Sequence, residues 1–320
     1  MTTDPATTPA TANQEVFAET ITELARENSD MLVVTSDSRG SGKLVPFGEA
    51  FPDQIIEVGI AEQNLVGIAA GLASTGAHVF AVSPAPFLTA RSLEQIKNDV
   101  CYSDHPVTLV GISAGVSYGA LGTTHHSIHD IAALRAINNI RIVVPADAAE
   151  TRMVVRAAAA AGEPVYLRLG KRPVPALPGT VTEASVFHRA RRLCNGSDAA
   201  LLACGEAVAP ALAAAERLAA ENIKASVHSV PCIRPIDTNS ILDAARNASA
   251  VVTVEEHSVH GGLGEACAAL LLHHGIHKPF RIIGFPDEVM VNGSQQEIFE
   301  HYGLTKDGIV AVTRQLLADS

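Results

Sequence analysis

Apolar residues along this chain alternate between short continuous runs and longer segments with helical spacing. The short runs are rich in valine, isoleucine and leucine and predict buried strands at residues 31–35, 55–58, 79–82, 107–112, 140–144, 199–204, 225–230 and 251–255. The longer segments predict helices at residues 17–28, 62–74, 93–100, 130–137, 208–221 and 241–247. This alternation predicts an α/β fold whose mostly parallel sheets are covered by helices.

A proline cluster divides the chain. Residues 173–179 read Pro-Val-Pro-Ala-Leu-Pro-Gly, the densest group of prolines in the sequence, and such a composition is typical of a linker. We therefore predict two α/β domains, at residues 14–178 and 179–320. Residues 1–13, which contain mainly threonine, alanine and proline, are predicted to be a disordered tail.

Composition narrows the function classes. The 320 residues are enough for two domains with separate cores, and a formal net charge of −11 without any tryptophan argues against nucleic acid as a partner. Five cysteines without a C-x-x-C pair, and no signal peptide pattern, predict reduced thiols and a cytoplasmic location. Apolar runs stay well below the ~20 residues that span a bilayer, so we expect no membrane partner.

Residues 53–64 are the most informative segment. They read Asp-Gln-Ile-Ile-Glu-Val-Gly-Ile-Ala-Glu-Gln-Asn, which predicts a strand, a glycine turn, and Glu62 in the first turn of a helix. In an α/β sheet, side chains at such a turn stand clear of the carboxyl end of the strand, where ligands bind. The alternative is that Glu62 only complements the helix dipole, which is the commoner role of a single glutamate in a first turn.

Three segments in sequence order resemble the transketolase family. They are Gly-Ile-Ala-Glu-Gln-Asn at 59–64, Thr-His-His at 124–126, and Glu-Glu-His followed by Gly-Gly-Leu-Gly between 255 and 264. The resemblance covers residues 14–320 and is to the C-terminal half of transketolases, a pyrimidine-binding domain followed by a small C-terminal domain. Split transketolases carry this half as a separate chain. The resemblance implies thiamine diphosphate as the cofactor.

The resemblance also implies cofactor contacts. Glu62 corresponds to the glutamate that hydrogen-bonds N1′ of the aminopyrimidine, which favours the imino tautomer that removes the thiazolium C2 proton. Phe87 corresponds to an aromatic residue that packs on the pyrimidine, although Pro84 stands where a phenylalanine is usual, and Asp37 lies near the cofactor. A plain core position is the alternative for Phe87.

Four residues are implied as substrate contacts. His125 corresponds to a histidine of the substrate channel, and Ser113 stands where another channel histidine is expected. Ser41 and Lys171 correspond to phosphate contacts, with Lys171 in place of an arginine. The alternative for Lys171 is a solvated basic residue beside the linker.

Other positions leave the donor substrate open. Ala120 and Leu121 replace an acidic pair whose second member contacts a hydroxyl of the donor sugar in transketolases, so a less hydroxylated donor is an alternative to a ketose phosphate. His125, His126 and His129 could instead be metal ligands, but no H-E-x-x-H pattern or cysteine lies near them. We therefore expect no metal site on this chain itself.

The G-D-G motif that holds Mg²⁺ and the diphosphate in this family does not occur in the sequence. The resemblance therefore implies a partner, an N-terminal transketolase subunit that carries the pyrophosphate domain, in an α2β2 assembly. The implied activity is transfer of a two-carbon ketol unit between sugar phosphates at a site shared by both subunits. Two alternatives remain: a β subunit of a 2-oxoacid dehydrogenase or 1-deoxyxylulose-5-phosphate synthase type of enzyme, or a non-catalytic assembly subunit.

Overall fold

The computed structural model describes residues 10–319, which form two α/β units, one around a seven-stranded sheet and the other around a five-stranded sheet. The predicted fold class is confirmed. The strands are β1 (Thr11–Ala12), β2 (Met31–Thr35), β3 (Ile55–Glu57), β4 (His78–Pro84), β5 (Val107–Ile112), β6 (Arg141–Val143), β7 (Val165–Arg168), β8 (Pro173–Val174), β9 (Arg191–Cys194), β10 (Ala199–Ala203), β11 (Ala225–Ser229), β12 (Cys232–Arg234), β13 (Ala250–Ser258) and β14 (Phe280–Phe285).

Helices cover both sheets. They are α1 (Asn13–Glu27), α2 (Val45–Ala50), α3 (Glu62–Ala73), α4 (Ala85–Arg91), α5 (Leu93–Gln95), α6 (Asp130–Arg135), α7 (Ala148–Ala160), α8 (Glu183–Val186), α9 (Val208–Ala219), α10 (Thr238–Arg246), α11 (Leu263–His273), α12 (Gln295–Tyr302) and α13 (Lys306–Ala318). A π-helix at Ile96–Tyr102 continues α5, where the sequence predicts an α-helix. None of the described helices has the length and apolar character needed to cross a membrane.

The seven-stranded sheet has the order β12-β6-β7-β5-β4-β2-β3, and every neighbouring pair except β12 with β6 is parallel. All residues of β5 are buried, as expected of a central parallel strand covered on both faces. Because the strands are parallel, their carboxyl ends meet at one edge of the sheet. The loops that follow β2, β3, β4, β5 and β7 are therefore neighbours in space.

The five-stranded sheet has the order β14-β13-β10-β11-β9, with only β9 antiparallel to its neighbour. One strand of the C-terminal half of the chain, β12, does not join the five-stranded sheet. It pairs with β6 and forms the edge of the seven-stranded sheet. This strand joins the two units, and the seven-stranded sheet therefore contains strands from both sides of residue 178.

The N-terminal segment differs from its prediction. Residues 1–9 of the predicted disordered tail lie outside the described residues. Thr11 and Ala12, by contrast, form β1, which pairs antiparallel with β8, and Asn13 begins α1. The side-chain amide of Asn13 donates to the carbonyl of Pro145, 3.0 Å away. The prediction was wrong at these last residues because sequence composition does not show the distant strand that pairs with them.

Candidate active site

Glu62 lies where the sequence places it, at the first position of α3, after the turn at Gly59 with φ +72°. Its side chain is only 5% exposed. The partner of its carboxylate is Arg91, the last residue of α4, whose Nη1 lies 2.9 Å from Oε1 and 3.1 Å from Oε2. The Glu62 carboxylate is thus paired with a residue at the end of the neighbouring helix α4. A glutamate that only complemented its own helix dipole would not need this partner.

An aromatic ring lies beside this ion pair. The guanidinium carbon of Arg91 is 4.3 Å from the ring centre of Phe87, one helical turn earlier on α4. The ring of His125, in the loop after β5, meets Phe87 edge to face, with 5.3 Å between the ring centres. The structure therefore brings Glu62, Phe87 and His125 into one continuous set of contacts, with Arg91 as the link between the first two.

Tyr118 extends this set of contacts and has no assigned role in the sequence analysis. Its ring centre is 5.4 Å from that of His125, and the ammonium nitrogen of Lys171 lies 5.6 Å from the same Tyr118 ring. The Tyr118 hydroxyl hydrogen-bonds Ser113, and burial raises the pKa of Tyr118, so the phenol stays protonated. The sequence signal for it was an aromatic residue between Ser113 and His125 in a chain with only 4 tyrosines.

Ser113 lies in the interior, directly after β5. Its side chain is fully buried, its backbone has φ +51°, and its hydroxyl lies 3.3 Å from the side-chain oxygen of Gln14 on α1. The Ser113 side chain also hydrogen-bonds the hydroxyl of Tyr118, a half-buried residue. The substrate contact that the family resemblance implies for Ser113 stays a prediction.

Asp37 and Ser41 lie at the same sheet edge, in the loop after β2, but their hydrogen bonds are made to other residues, Glu57 and Ser38. The backbone N–H of Asp37 donates to Oε1 of Glu57 at 2.6 Å, and Gly59 donates to the same oxygen at 3.0 Å. The hydroxyl of Ser41 donates to the carbonyl of Ser38 at 3.2 Å. Glu57 therefore ties the loop after β2 to the turn that precedes Glu62, and the Asp37 side chain remains exposed.

The histidine-rich loop does not form a metal cluster. His126 is buried, its Nε2 lies 2.9 Å from the carbonyl oxygen of Gly119, and burial lowers its pKa. His129 immediately precedes α6 and is exposed. Within residues 10–319, no three His, Cys, Asp or Glu side chains come together in a way that could hold a metal ion.

Buried side chains of the second unit accept hydrogen bonds from the loops that carry the candidate site residues. The Glu256 carboxylate accepts the N–H of Val116 at 2.9 Å, and the Glu206 carboxylate accepts the N–H of Arg172 at 3.1 Å. The Gln295 amide bridges the two carboxylates with hydrogen bonds of 3.0 Å to Glu206 and 2.9 Å to Glu256. Burial, together with the nearby Glu256 charge, raises the pKa of Glu206 to about 8. These contacts hold the loops that carry Tyr118 and Lys171.

The backbone at Gly115 and Gly170 lies so close to these buried carboxylates that a side chain at either position would collide with them. A Cβ at Gly115 would lie 2.2 Å from the carboxyl carbon of Glu256, and a Cβ at Gly170 would lie 1.9 Å from Oε1 of Glu206. Larger residues at these two positions would push the buried carboxylates away. In the distal Glu-Glu-His segment, Glu256 therefore supports a loop of the candidate site directly.

Comparison with known proteins agrees with this architecture. The family described as "Transketolase, pyrimidine binding domain" matches residues 10–176, and "Transketolase, C-terminal domain" matches residues 188–309. A chain of the apulose-4-phosphate transketolase of Phocaeicola vulgatus is 45% identical over 93% of this chain and 95% of its own length. A 1-deoxy-D-xylulose-5-phosphate synthase of Heliobacterium modesticaldum is 36% identical over 94% of this chain, which spans 46% of that enzyme.

A solved structure gives the same result. A split-gene transketolase, described as an inactive β4 tetramer, superimposes with a TM-score of 0.83 and 37% identity, covering 97% of this chain and 99% of that one. The segment order at the sheet edge, the two domain matches and the full-length relatives all agree. The chain belongs to the transketolase family and contains its pyrimidine-binding domain and its C-terminal domain.

Proposed function

We propose that this chain is the C-terminal subunit of a thiamine diphosphate-dependent transketolase built from two kinds of chain. It acts in the transfer of a two-carbon ketol unit from a ketose phosphate to an aldose phosphate. The observation that carries the proposal is the buried carboxylate of Glu62, which Arg91 joins to the Phe87 ring. From this ring, contacts continue to His125 and, through Tyr118, to Lys171.

The residues present suit the pyrimidine part of the cofactor. A flat, nitrogen-bearing group, the guanidinium of Arg91, already satisfies Glu62 by hydrogen bonds and Phe87 by stacking. An aminopyrimidine combines the same flat face and ring-plane nitrogen atoms, so Glu62 would hold its N1′ and Phe87 would lie against its ring. Bound thiamine diphosphate supplies the carbanion chemistry, while the protein supplies position and proton transfer.

Substrate recognition falls to the loops after β5 and β7. His125, whose ring meets Phe87, would exchange hydrogen bonds with the oxygen atoms of the reacting carbons. The exposed Lys171 ammonium offers a point charge to a substrate phosphate. Ala120 and Leu121 present no charge to the donor, in agreement with a donor other than the common linear ketose phosphates. The apulose-4-phosphate transketolase relative favours apulose 4-phosphate as that donor.

The remaining parts of the cofactor site are assigned to a partner chain. The sequence lacks the G-D-G motif, so Mg²⁺ and the diphosphate would be held by an N-terminal subunit with the pyrophosphate domain, in an α2β2 heterotetramer. The inactive β4 tetramer of the split-gene relative supports a need for that partner. All five cysteines are unpaired, which supports a cytoplasmic location.

Ketol transfer is tested by reconstitution. The chain is mixed with the N-terminal subunit from the same source, thiamine diphosphate and Mg²⁺, and products are analysed with apulose 4-phosphate, xylulose 5-phosphate or pyruvate as donor and an aldose phosphate as acceptor. We expect transfer from a ketose phosphate in the mixture only. Turnover by this chain alone would contradict the shared site.

A second candidate follows from the synthase relative, which matches 94% of this chain at 36% identity. If pyruvate is consumed with release of carbon dioxide and ketose phosphates are not, the chain belongs to a 1-deoxyxylulose-5-phosphate synthase type of enzyme. The same assay therefore separates the two candidates by the donor that disappears.

A further inference from the structure

Arg91 makes two contacts that together imitate a ligand. Its Nη1 lies 2.9 and 3.1 Å from the two oxygen atoms of Glu62, and its guanidinium carbon lies 4.3 Å from the ring centre of Phe87. Guanidinium groups stack on aromatic rings and bind carboxylates through the nitrogen atoms in their plane. A single flat group therefore occupies both partners that the proposed function assigns to the cofactor pyrimidine.

The two ends of this ion pair differ in how firmly they are held. The Glu62 side chain is only 5% exposed at the start of α3, whereas 50% of the Arg91 side chain is exposed at the end of α4. The Arg91 backbone precedes a break between α4 and α5 at Ser92. The guanidinium can thus leave toward solvent through side-chain rotation, while the carboxylate and the Phe87 ring stay in place.

We infer that Arg91 is a positioning residue that holds Glu62 and Phe87 in their binding arrangement and that the cofactor pyrimidine must displace. This rests on the proposed function. A buried carboxylate without a partner is costly, so the contact stabilises the empty site. The same contact competes with the pyrimidine, because a protein that binds only in its open state shows a dissociation constant raised by the inverse of the open fraction.

Calorimetric titration of thiamine diphosphate in the presence of Mg²⁺ tests this in the assembled two-chain enzyme. Arg91→Met removes the guanidinium and is expected to lower the Kd by about three- to tenfold, which corresponds to a site open about 10–30% of the time. Arg246→Met, at the end of α10 in the other unit, is the matched control and should leave the Kd unchanged. Arg91→Lys keeps the charge without the flat face and should give an intermediate Kd.

Thermal unfolding gives a second readout. Without cofactor, Arg91→Met should melt below the wild type, since Glu62 has lost its partner, and saturation with thiamine diphosphate should raise its melting temperature more than that of the wild type. A Kd that is unchanged or higher in Arg91→Met, with normal binding by the wild type, overturns the inference alone. Absence of binding by the assembled wild type overturns the proposed function as well.

Discussion

The ammonium nitrogen of Lys171 lies 5.6 Å from the ring centre of Tyr118, and this contact joins the loop after β7 to the loop after β5. The same ring meets His125 on another side, and its hydroxyl hydrogen-bonds Ser113. Tyr118 thus fixes the distance between the charge proposed to bind phosphate and the imidazole proposed to face the reacting carbons. Mutation of Tyr118 therefore tests whether this spacing between Lys171 and His125 matters for activity.

Replacing Tyr118 should affect substrates with a phosphate most. Tyr118→Leu removes the ring under the Lys171 ammonium, and we expect KM for the phosphorylated donor to rise by about two- to fivefold, the worth of an exposed cation–π contact of about 0.5–1 kcal/mol, with a smaller change in kcat. Tyr118→Phe keeps the ring, and its KM should stay close to that of the wild type. Steady-state kinetics with phosphorylated and unphosphorylated donors measures the difference.

A double-mutant cycle provides the control. If Tyr118 acts through Lys171, adding Tyr118→Leu to Lys171→Met should cost little more than Lys171→Met alone. Fully additive effects on KM would show that the two side chains act separately.

Glu62→Gln should stop cofactor activation and leave assembly intact. The amide cannot take part in proton exchange with the pyrimidine nitrogen, so we expect kcat of the two-chain enzyme to fall by about 100-fold or more. The rate at which the C2 proton of bound thiamine diphosphate exchanges with deuterium, followed by NMR, should fall in parallel. This readout isolates the activation step from substrate binding.

Glu57→Gln is the matched control for Glu62→Gln. Glu57 ends the strand before Glu62 and accepts the N–H groups of Asp37 and Gly59. Its amide variant retains an acceptor oxygen, so deuterium exchange should slow by less than about tenfold, because Glu57 only holds loops. Equal losses in both variants would mean that Glu62 also acts only as a structural residue.

The eight predicted strands all occur in the two sheets, because parallel strands covered on both faces consist of continuous apolar runs. Strand β14 and the helices α7, α12 and α13, by contrast, were not predicted. Glu62 and three residues that the family resemblance implied, Phe87, His125 and Lys171, each follow a strand of the same parallel sheet and so lie at one sheet edge. The partner of Glu62 could not be derived in the same way. Arg91 lies 29 positions away from Glu62, and only the packing of α4 against α3 brings them together.

Buried polar contacts between the two units were equally beyond sequence reasoning. The pairing of β12 with the first sheet and the bridge of Gln295 between Glu206 and Glu256 join residues that are far apart in the chain. Hydrophobic periodicity reports which face of an element is buried but not which distant element covers it. Burial of Ser113 was missed for this reason, because Gln14 of α1 reaches it across the unit.

Loss of Arg168 should destabilise the whole chain. Its Nε donates to Asp130 at 2.8 Å, and its Nη2 donates to the carbonyl oxygens of Ser127 and Glu256, both at 2.9 Å. The Asp130 side chain is completely buried, and the Arg168 charge and the Tyr166 hydroxyl help to keep its pKa below the usual value. Arg168→Met leaves that charge uncompensated, and we expect the free energy of unfolding to fall by about 3–5 kcal/mol in urea denaturation.

A double variant that also removes the Asp130 charge provides the control for Arg168→Met. Adding Asp130→Asn removes the uncompensated charge and should recover part of the lost stability. Arg168→Lys supplies a charged alternative if Arg168→Met does not fold. A loss below about 1 kcal/mol in Arg168→Met would show that this buried pair contributes little to the stability of the chain.

The buried carboxylates make stability depend on pH. Burial and the neighbouring Glu256 charge raise the pKa of Glu206 from 4.5 to about 8. The folded chain therefore binds this proton more tightly than the unfolded chain, so the contribution to stability is fully present below pH 4.5 and is lost as the pH rises through about 8. Within this window, one such proton lowers the free energy of unfolding by up to about 1.4 kcal/mol per pH unit.

Glu206→Gln should flatten this dependence, because the neutral amide resembles the protonated carboxyl and has no proton to lose. We expect its free energy of unfolding, measured in urea from about pH 5.5 to 7.5, to decrease less steeply than that of the wild type. Glu216→Gln, on the exposed face of α9, is the control and should follow the wild type. Identical slopes for Glu206→Gln and the wild type would mean that Glu206 is ionised throughout this range, with the charge of Arg172 offsetting its burial beside Gly170.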